Sequence, residues 1–373
     1  MNLEERDELR ASAKAMLDRS APTARVRELL DDPAGFDPAL WRDMGGLGWL
    51  GLLVPEIHGG AGAGLGEVVV IAAELGAHLT PGPFLASAVL ATSALVMGAS
   101  AEEQARWLGP LATGEAIGTV ALSGPSGRLG DDALGVRSSD DGPSLRLDGT
   151  AGFVPDAHIA DFVVVAATDG RARRLGLVET ANAGVEVRPT PTIDHTRRLS
   201  QVNFDDVVVD ATATIDGEIY DQLVERAATV LAADGCGAAR EILTRAVEYA
   251  KQREQFNRPI GSFQAVKHML ADMYVLSEAA SVAVEGAAQA LDMQSDAAPR
   301  VAAIAASYAR DAAERVAGDA VQVHGGIGFT WEHDCHLFLK RTQLGAALCG
   351  DTATHRSRLA GLLLDAARDR IPA

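Results

Sequence analysis

The chain changes its hydrophobic pattern twice, and this order of patterns limits its possible folds more than any other feature. Residues 1 to about 115 place apolar side chains at helical spacing, as in LGEVVVIAAELGAHL. From about residue 117 to residue 212, short β-rich runs alternate with turn residues, and helical spacing then returns. We therefore expect a mainly α-helical chain that carries a β insert.

The β segment and the last helical segment each predict an architecture. Runs such as GTVALSG, DFVVVAAT and VNFDDVVV are rich in Val and Phe and are separated by Gly, Asp or Pro, which is typical of an antiparallel β-barrel or sandwich. Long Ala-rich helices at about 264–292, 296–323 and 351–367 complete a C-terminal four-helix bundle. The predicted domains are an N-terminal helical domain (1–116), a middle β domain (117–212) and a C-terminal bundle (213–373).

Composition and charge exclude several classes of partner. The formal net charge is −18, whereas phosphate-rich partners need a basic surface, so we expect neither nucleic acid nor a membrane as partner. No apolar stretch reaches the ~20 residues that a membrane span needs. The three cysteines, Cys236, Cys335 and Cys349, are widely spaced, and the N-terminus lacks the apolar core of a secretion signal. We expect a cytoplasmic protein without disulfides.

Two glycine-bearing breaks interrupt the long C-terminal helices. The first is REQFNRPIGSFQ (253–264), and the second is VQVHGGIGFTWEHD (321–334). Neither has the spacing of a Rossmann or P-loop motif. Glycines that merely end a helix explain each break by itself. Together, with Arg253, Gln264 and Gln322 as donors, they are also the pattern of a cradle for a phosphate-bearing cofactor.

Other chemical signatures are weak. His324, His333 and His336 lie near one another in the sequence, but their spacing matches no usual set of metal ligands, so we expect no metal. No GxSxG motif or other nucleophile signature occurs.

Both breaks resemble motifs of the acyl-CoA dehydrogenase family. YAKQREQFNRPIGSFQAVKHMLADM is followed by AVQVHGGIGFTWEHDCHLFLKR, as in that family. LGWLGLLVPEIHGGAG in the first block is similar to it too, as are LRLDGTAGFVPDAHIADFVVVAA and VNFDDVVV in the second. The resemblance covers nearly the whole chain in the expected order.

The resemblance implies an FAD site between the β domain and the bundle, completed by a neighbouring subunit. Arg253, Phe256, Gln322, Gly325 and Gly326 would contact the FAD of the adjacent subunit. The remaining FAD contacts that the resemblance implies are Leu122 and Ser123 in ALSGP, Phe153 in place of the family's flavin-stacking Trp, Gln264, and Thr352. Pro155 stands where a Thr or Ser usually donates a hydrogen bond toward the flavin N5, and proline has no such donor.

The family's usual catalytic base is missing. Dehydrogenation removes a proton from the α carbon of the acyl-CoA and a hydride from the β carbon, and the proton needs a positioned carboxylate. In LCGDTATHR, Gly350 occupies the position of the family's Glu. Asp351 and Asp234 are the candidate substitutes, and Glu225 lies on another face of its helix. An N-cap role explains Asp351 equally well.

Three functions are consistent with these residues. The first is a competent FAD-dependent acyl-CoA dehydrogenase, which passes electrons to an electron-transfer flavoprotein and assembles as a homodimer or homotetramer. The second is a subunit without its own base in a heterotetramer with a catalytic paralogue, as in some steroid and branched-chain acyl-CoA dehydrogenases. The third is a flavin oxidase or monooxygenase on the same fold.

Overall fold

The computed structural model describes residues 3–368. The described residues divide into two compact units, and each is made of separate stretches of the chain. The first unit contains residues up to Val26, Val69–Thr80 and the residues from Ala228 onward. The second unit contains Arg27–Val68 and Pro81–Ala227. The three consecutive domains of the sequence analysis remain a prediction.

The helices and strands follow the predicted order of helices, β segment and helices. The N-terminal helices are α1 (Leu3–Ser20), α2 (Thr23–Leu29), α3 (Pro38–Gly46), α4 (Leu65–Ala77), α5 (Thr92–Gly98) and α6 (Ala101–Thr113). The strands of the β segment are β1 (Gly118–Ala121), β2 (Val136–Asp141), β3 (Ser144–Pro155), β4 (Phe162–Thr168), β5 (Arg173–Glu179), β6 (Val185–Thr190), β7 (Leu199–Val209) and β8 (Thr214–Asp216). The C-terminal elements are α7 (Tyr220–Gln252), β9 (Glu254–Gln255), β10 (Arg258–Pro259), α8 (Gln264–Asp292), α9 (Ala298–His324), α10 (Cys335–Ala347) and α11 (Thr352–Arg368). Helical N- and C-terminal segments around a β segment are thereby confirmed.

The β segment forms one open sheet in the second unit. Its strand order is β6-β7-β3-β2-β4-β5-β8, and β1 lies parallel to β4. No pairing joins the end strands β6 and β8 among the described residues, so the closed barrel, one of the two predicted alternatives, is wrong. The physical reason is that β5 pairs on its outer side with only the three residues of β8, after which the chain enters α7. Alternate residues of the strands, including Leu147, Val163, Val165 and Phe204, form its buried core.

The long helices of the first unit pack closely. In that unit α9 contacts α8, α10 and α11. Gly76 and Gly237 leave no room for a side chain: a Cβ on Gly76 would lie 2.0 Å from the Asp234 carbonyl oxygen, and one on Gly237 would lie 1.7 Å from the Ala73 carbonyl oxygen. These glycines let α4 and α7 approach backbone to backbone. Among the described residues, no helix is both long enough and apolar enough to cross a membrane.

Candidate functional site

The second unit brings the predicted flavin contacts Leu122, Ser123 and Phe153 together. Leu122 and Ser123 directly follow β1, and Phe153 lies within β3. The Ser123 hydroxyl donates to the Gly152 carbonyl at 3.0 Å, and the Gly152 N–H donates to the Ser123 carbonyl at 3.0 Å. These reciprocal hydrogen bonds fix the residue before Phe153 against the end of β1.

Phe153 has an unusual backbone conformation. Its φ is +53°, in the left-handed region that a bulky side chain rarely adopts, and its side chain is 38% exposed. Gly127 lies opposite, because a Cβ there would come within 3.1 Å of the Phe153 ring. Strained backbone of this kind is typical of functional sites. The neighbouring Pro155 offers only its carbonyl, which accepts the Thr119 hydroxyl at 2.5 Å.

The first predicted break is a tight hairpin in the first unit. Strands β9 and β10 pair antiparallel on either side of Phe256 and Asn257, whose φ values are +53° and +61°. Two consecutive left-handed residues define a type I′ turn, which usually contains Asn-Gly rather than Phe-Asn. Phe256 is 88% exposed, and Arg253 and Gln264 are exposed on either side of the hairpin. The hairpin therefore presents a cation and an aromatic ring outward.

The second break lies beside the first. The ring of Tyr249, four residues before Arg253, stacks on the ring of His324 at a centroid distance of 4.6 Å, so the ends of α7 and α9 are neighbours. Gln322, Gly325 and Gly326 are exposed there, and both glycines have open space where a Cβ would point. The neighbouring ends of α7 and α9 thus each expose polar donors or bare backbone.

A cluster of possible metal ligands lies at the second break. The ligand atoms of His324, His333 and Cys335 lie within 4.8 Å of one another. Nδ1 of His324 lies 2.7 Å from the Ala320 carbonyl, to which it donates, and the Cys335 N–H donates to Nδ1 of His333 at 3.2 Å. Burial raises the pKa of the Cys335 thiol to about 12, so it stays protonated. These contacts account for the cluster without an ion, and the lack of a metal remains a prediction.

The loop at the position of the family's base has a fixed conformation. Cys349 has a φ of +53° and Gly350 a φ of +87°. The buried Arg310 guanidinium donates to the carbonyls of Leu348 and Gly350, the latter at 2.6 Å, and His355 lies 3.1 Å from the Cys349 carbonyl. Burial, aided by the charge of Arg310, lowers the pKa of His355 to about 4. Three successive carbonyls thus face donors inside the unit.

Asp351 caps helix α11. Its Oδ1 accepts the Thr354 N–H at 2.8 Å and the Thr354 hydroxyl at 2.7 Å. The Thr354 side chain and backbone lower the pKa of Asp351, whereas a general base for an α-proton needs a raised pKa. The hydroxyl of Thr352, a predicted FAD contact, donates to Asp311 at 2.8 Å.

Asp234 forms a buried ion pair with Arg341. Nε of Arg341 donates to Oδ1 at 3.0 Å, and a terminal nitrogen of Arg341 donates to Oδ2 at 2.6 Å. The Arg341 side chain is 4% exposed and also reaches the Thr80 carbonyl at 3.2 Å. Both Asp234 oxygens are therefore engaged. Glu225 is buried in the second unit.

Sequence reasoning missed four side chains that hold the candidate site residues or the loops around them: Tyr220, Arg310, Arg341 and His355. Each is buried, and each forms a hydrogen bond with a residue distant in the chain or with a backbone carbonyl. The only available signal was a charged or polar residue inside an apolar helical run, which Arg310 and Arg341 show.

Comparison with known proteins decides the family. A model of the acyl-CoA dehydrogenase N-terminal domain matches residues 3–115, and a model of the C-terminal domain matches residues 221–364. The acyl-CoA dehydrogenase IpdE2 of Mycobacterium tuberculosis is 36% identical over 346 residues, which are 92% of this chain and 93% of IpdE2. The chain belongs to the acyl-CoA dehydrogenase family. It is accordingly an oxidoreductase that acts on the CH–CH group of an acyl-CoA, in a family that depends on flavin.

Solved structures of the family superpose closely on this chain. A chain of the ChsE4-ChsE5 complex from Mycobacterium tuberculosis gives a TM-score of 0.91 at 31% identity, and the match covers 100% of this chain and 99% of that chain. A variant of the Tcur3481-Tcur3483 steroid ACAD also gives 0.91 at 31% identity, with coverage of 98% and 99%. The acyl-CoA dehydrogenase fold therefore extends over the whole chain.

Proposed function

We propose that this chain is an FAD-binding subunit of an acyl-CoA dehydrogenase and that a paralogous partner subunit supplies the base. The observation that carries the proposal is the loop around Gly350, where the family's Glu is replaced by a glycine at a φ of +87° and the backbone is fixed by Arg310. The two substitute carboxylates, Asp351 and Asp234, are each committed to another contact.

The residues of both units fit FAD. In the second unit, the half-exposed Phe153 ring and the neighbouring Leu122 and Ser123 offer an aromatic face and polar backbone for a flavin ring. In the first unit, the exposed Arg253 and Gln322 and the open glycines Gly325 and Gly326 offer donors to the phosphates of an FAD. Phe256, Gln264 and Thr352 are further proposed contacts. When bound, FAD accepts the hydride that leaves the β carbon of the acyl-CoA.

The proposed base from a partner is consistent with the relatives. The ChsE4-ChsE5 relative is described as a complex, and the Tcur3481-Tcur3483 relative carries two protein names. The first unit also leaves large apolar side chains exposed that a partner could cover, namely Tyr274, Val275, Val282, Phe329 and Trp331. The exposed apolar side chains fit an oligomer of either kind, and the two-component relatives favour a hetero-oligomer. Because one relative is described as a steroid ACAD, a steroid-derived acyl-CoA is the first substrate to test beside a straight-chain one.

The test is to express the chain alone and together with a paralogue encoded near it, and to count FAD per oligomer. Adding acyl-CoA without oxygen should bleach the flavin only in the joint preparation. Asp351→Asn and Asp234→Asn in that preparation should leave the single-turnover rate of flavin reduction within about threefold, because neither residue touches the substrate.

Two results would change the proposal. Flavin bleaching by the chain alone, lost in Asp351→Asn or Asp234→Asn, would make this a competent enzyme with a displaced base. Rapid oxygen consumption by the reduced protein would instead favour the flavin oxidase. An electron-transfer flavoprotein is the proposed acceptor if oxygen reacts slowly.

A further inference from the structure

A long loop joins β1 to β2 in the second unit. It covers residues 122–135 and contains no strand, although it includes a short helical turn at Asp131–Ala133. Irregular loops of this length inside a compact unit are uncommon and are usually functional. The loop starts with Leu122 and Ser123, the proposed flavin contacts, and its Gly127 lies against the Phe153 ring. Its shape therefore sets the surface that the flavin would meet.

One tyrosine hydroxyl holds this loop at two points. Tyr220, the first residue of α7, is 2% exposed. Its hydroxyl donates to the Leu122 carbonyl at 2.7 Å and accepts the Gly130 N–H at 3.5 Å. The two contacts lie eight residues apart in the loop but meet at a single oxygen atom. The hydroxyl thus draws the two ends of segment 122–130 together.

An arginine holds the tyrosine ring in place. The Arg173 guanidinium lies over the Tyr220 ring at 4.1 Å from its centroid, and its Nε donates to Asp131 at 2.5 Å. Arg173 also pairs with Asp221 at 3.7 Å. It therefore links strand β5, the start of α7 and the far end of the loop.

We propose that Tyr220 is a positioning residue for the flavin: its hydroxyl sets the shape of segment 122–131, and through it the placement of Leu122 and Ser123. This inference rests on the proposed function, because it assumes that these two residues meet the flavin. The hydroxyl acts through the backbone and does not itself touch the cofactor. Removing it leaves the buried Leu122 carbonyl without that donor, and the segment loosens.

The test compares Tyr220→Phe with Thr92→Val as a matched control. Thr92 is fully buried in the same unit, and its hydroxyl also donates to a carbonyl, that of Ser87, at 3.1 Å. Three quantities are measured on the protein in the form that takes up FAD, alone or with its partner: deuterium uptake of segment 122–131, FAD affinity, and the reduction potential of the flavin.

We expect Tyr220→Phe to speed exchange in segment 122–131, to weaken FAD binding by about 5- to 30-fold and to shift the potential. Thr92→Val should lower only the melting temperature. If the two variants change exchange, FAD affinity and potential alike, Tyr220 is merely structural and the inference is wrong. If Tyr220→Phe does not fold, Arg173→Gln tests the inference with the same three measurements. We then expect the increase in deuterium uptake to be largest near Asp131.

Failure of the positioning role of Tyr220 can be distinguished from failure of the proposed function. If no preparation takes up FAD, the proposed function fails, yet deuterium uptake still reports whether Tyr220 orders segment 122–131. If FAD binds normally to the wild type and Tyr220→Phe leaves exchange and potential unchanged, the proposed function stands and the positioning role is refuted.

Discussion

A substitution in the buried ion pair of Asp234 and Arg341 tests directly whether Asp234 is a structural or a catalytic carboxylate. Asp234→Asn keeps the size of the side chain and removes its charge, which leaves a guanidinium that is 4% exposed facing a neutral amide. Breaking a buried ion pair by removing one partner costs about 3–5 kcal/mol. The unit that contains both residues has about 180 residues, so each kcal/mol lowers the melting temperature by about 2–4 °C. We expect the melting temperature to fall by roughly 6–20 °C.

Two measurements on the same preparation check this prediction: the melting temperature of the first unit, and the single-turnover rate of flavin reduction by an acyl-CoA. Asp234→Asn should melt early but reduce its flavin at close to the normal rate below that temperature. The double variant Asp234→Leu with Arg341→Met should recover part of the lost stability, because it leaves no buried charge. A variant that melts within about 2 °C of the wild type but no longer reduces its flavin would show that Asp234 is the base, and the reasoning about the pair would be refuted.

Three more outcomes follow from the loop before α11. Gly350→Glu should not give the chain activity without a partner, and a Gly350→Glu protein that reduces its flavin alone would refute this expectation. Both Gly350→Glu and Gly350→Ala should lower the free energy of unfolding by about 1–2 kcal/mol, because a side chain at a φ of +87° is strained. Asp351→Ala should cost about 1 kcal/mol in thermal unfolding while Asp351→Asn, which keeps a capping oxygen, costs far less; equal losses would contradict the capping role. The pKa of His355 is lowered to about 4, so this side chain is protonated more readily in the unfolded state than in the folded state. The free energy of unfolding should therefore fall by about 3 kcal/mol as the pH drops from about 6.5 to 4. Denaturant titrations across that range should show a shallower loss for His355→Gln, and parallel curves would exclude the contribution.

Much of the fold could be predicted from local pattern. The predicted helix at 264–292 is α8, and the predicted helix at 296–323 matches α9 within two residues at each end. Such helices bury one face along their whole length, and periodicity reports that burial directly. Helix α10 was not predicted, because thirteen residues between two glycine-containing loops leave too short a pattern. Closure of the sheet was also undecided, since it depends on which strands pair at its edges.

Some residues of the candidate site could likewise be predicted from the sequence and others could not. Residues in contiguous motifs, such as Arg253 and Gly325, could be proposed from the sequence because the motif itself is local. Tyr220 and Arg341 could not, since the first contacts a residue 98 positions away and the second a residue 107 positions away. No local pattern encodes a hydrogen bond across that separation.

The amino-acid sequence alone determined the order of helical and β segments, the two glycine-bearing breaks and the absence of a Glu at residue 350, because each of these is a property of neighbouring residues. Only the tertiary structure decided what the remaining carboxylates do. Asp351 and Asp234 are equally acidic in the sequence, and their roles depend on the groups that folding brings against them: an amide and a hydroxyl at the start of α11 for one, and a buried guanidinium for the other. A side chain's chemistry follows from its surroundings, and those surroundings come from distant parts of the chain.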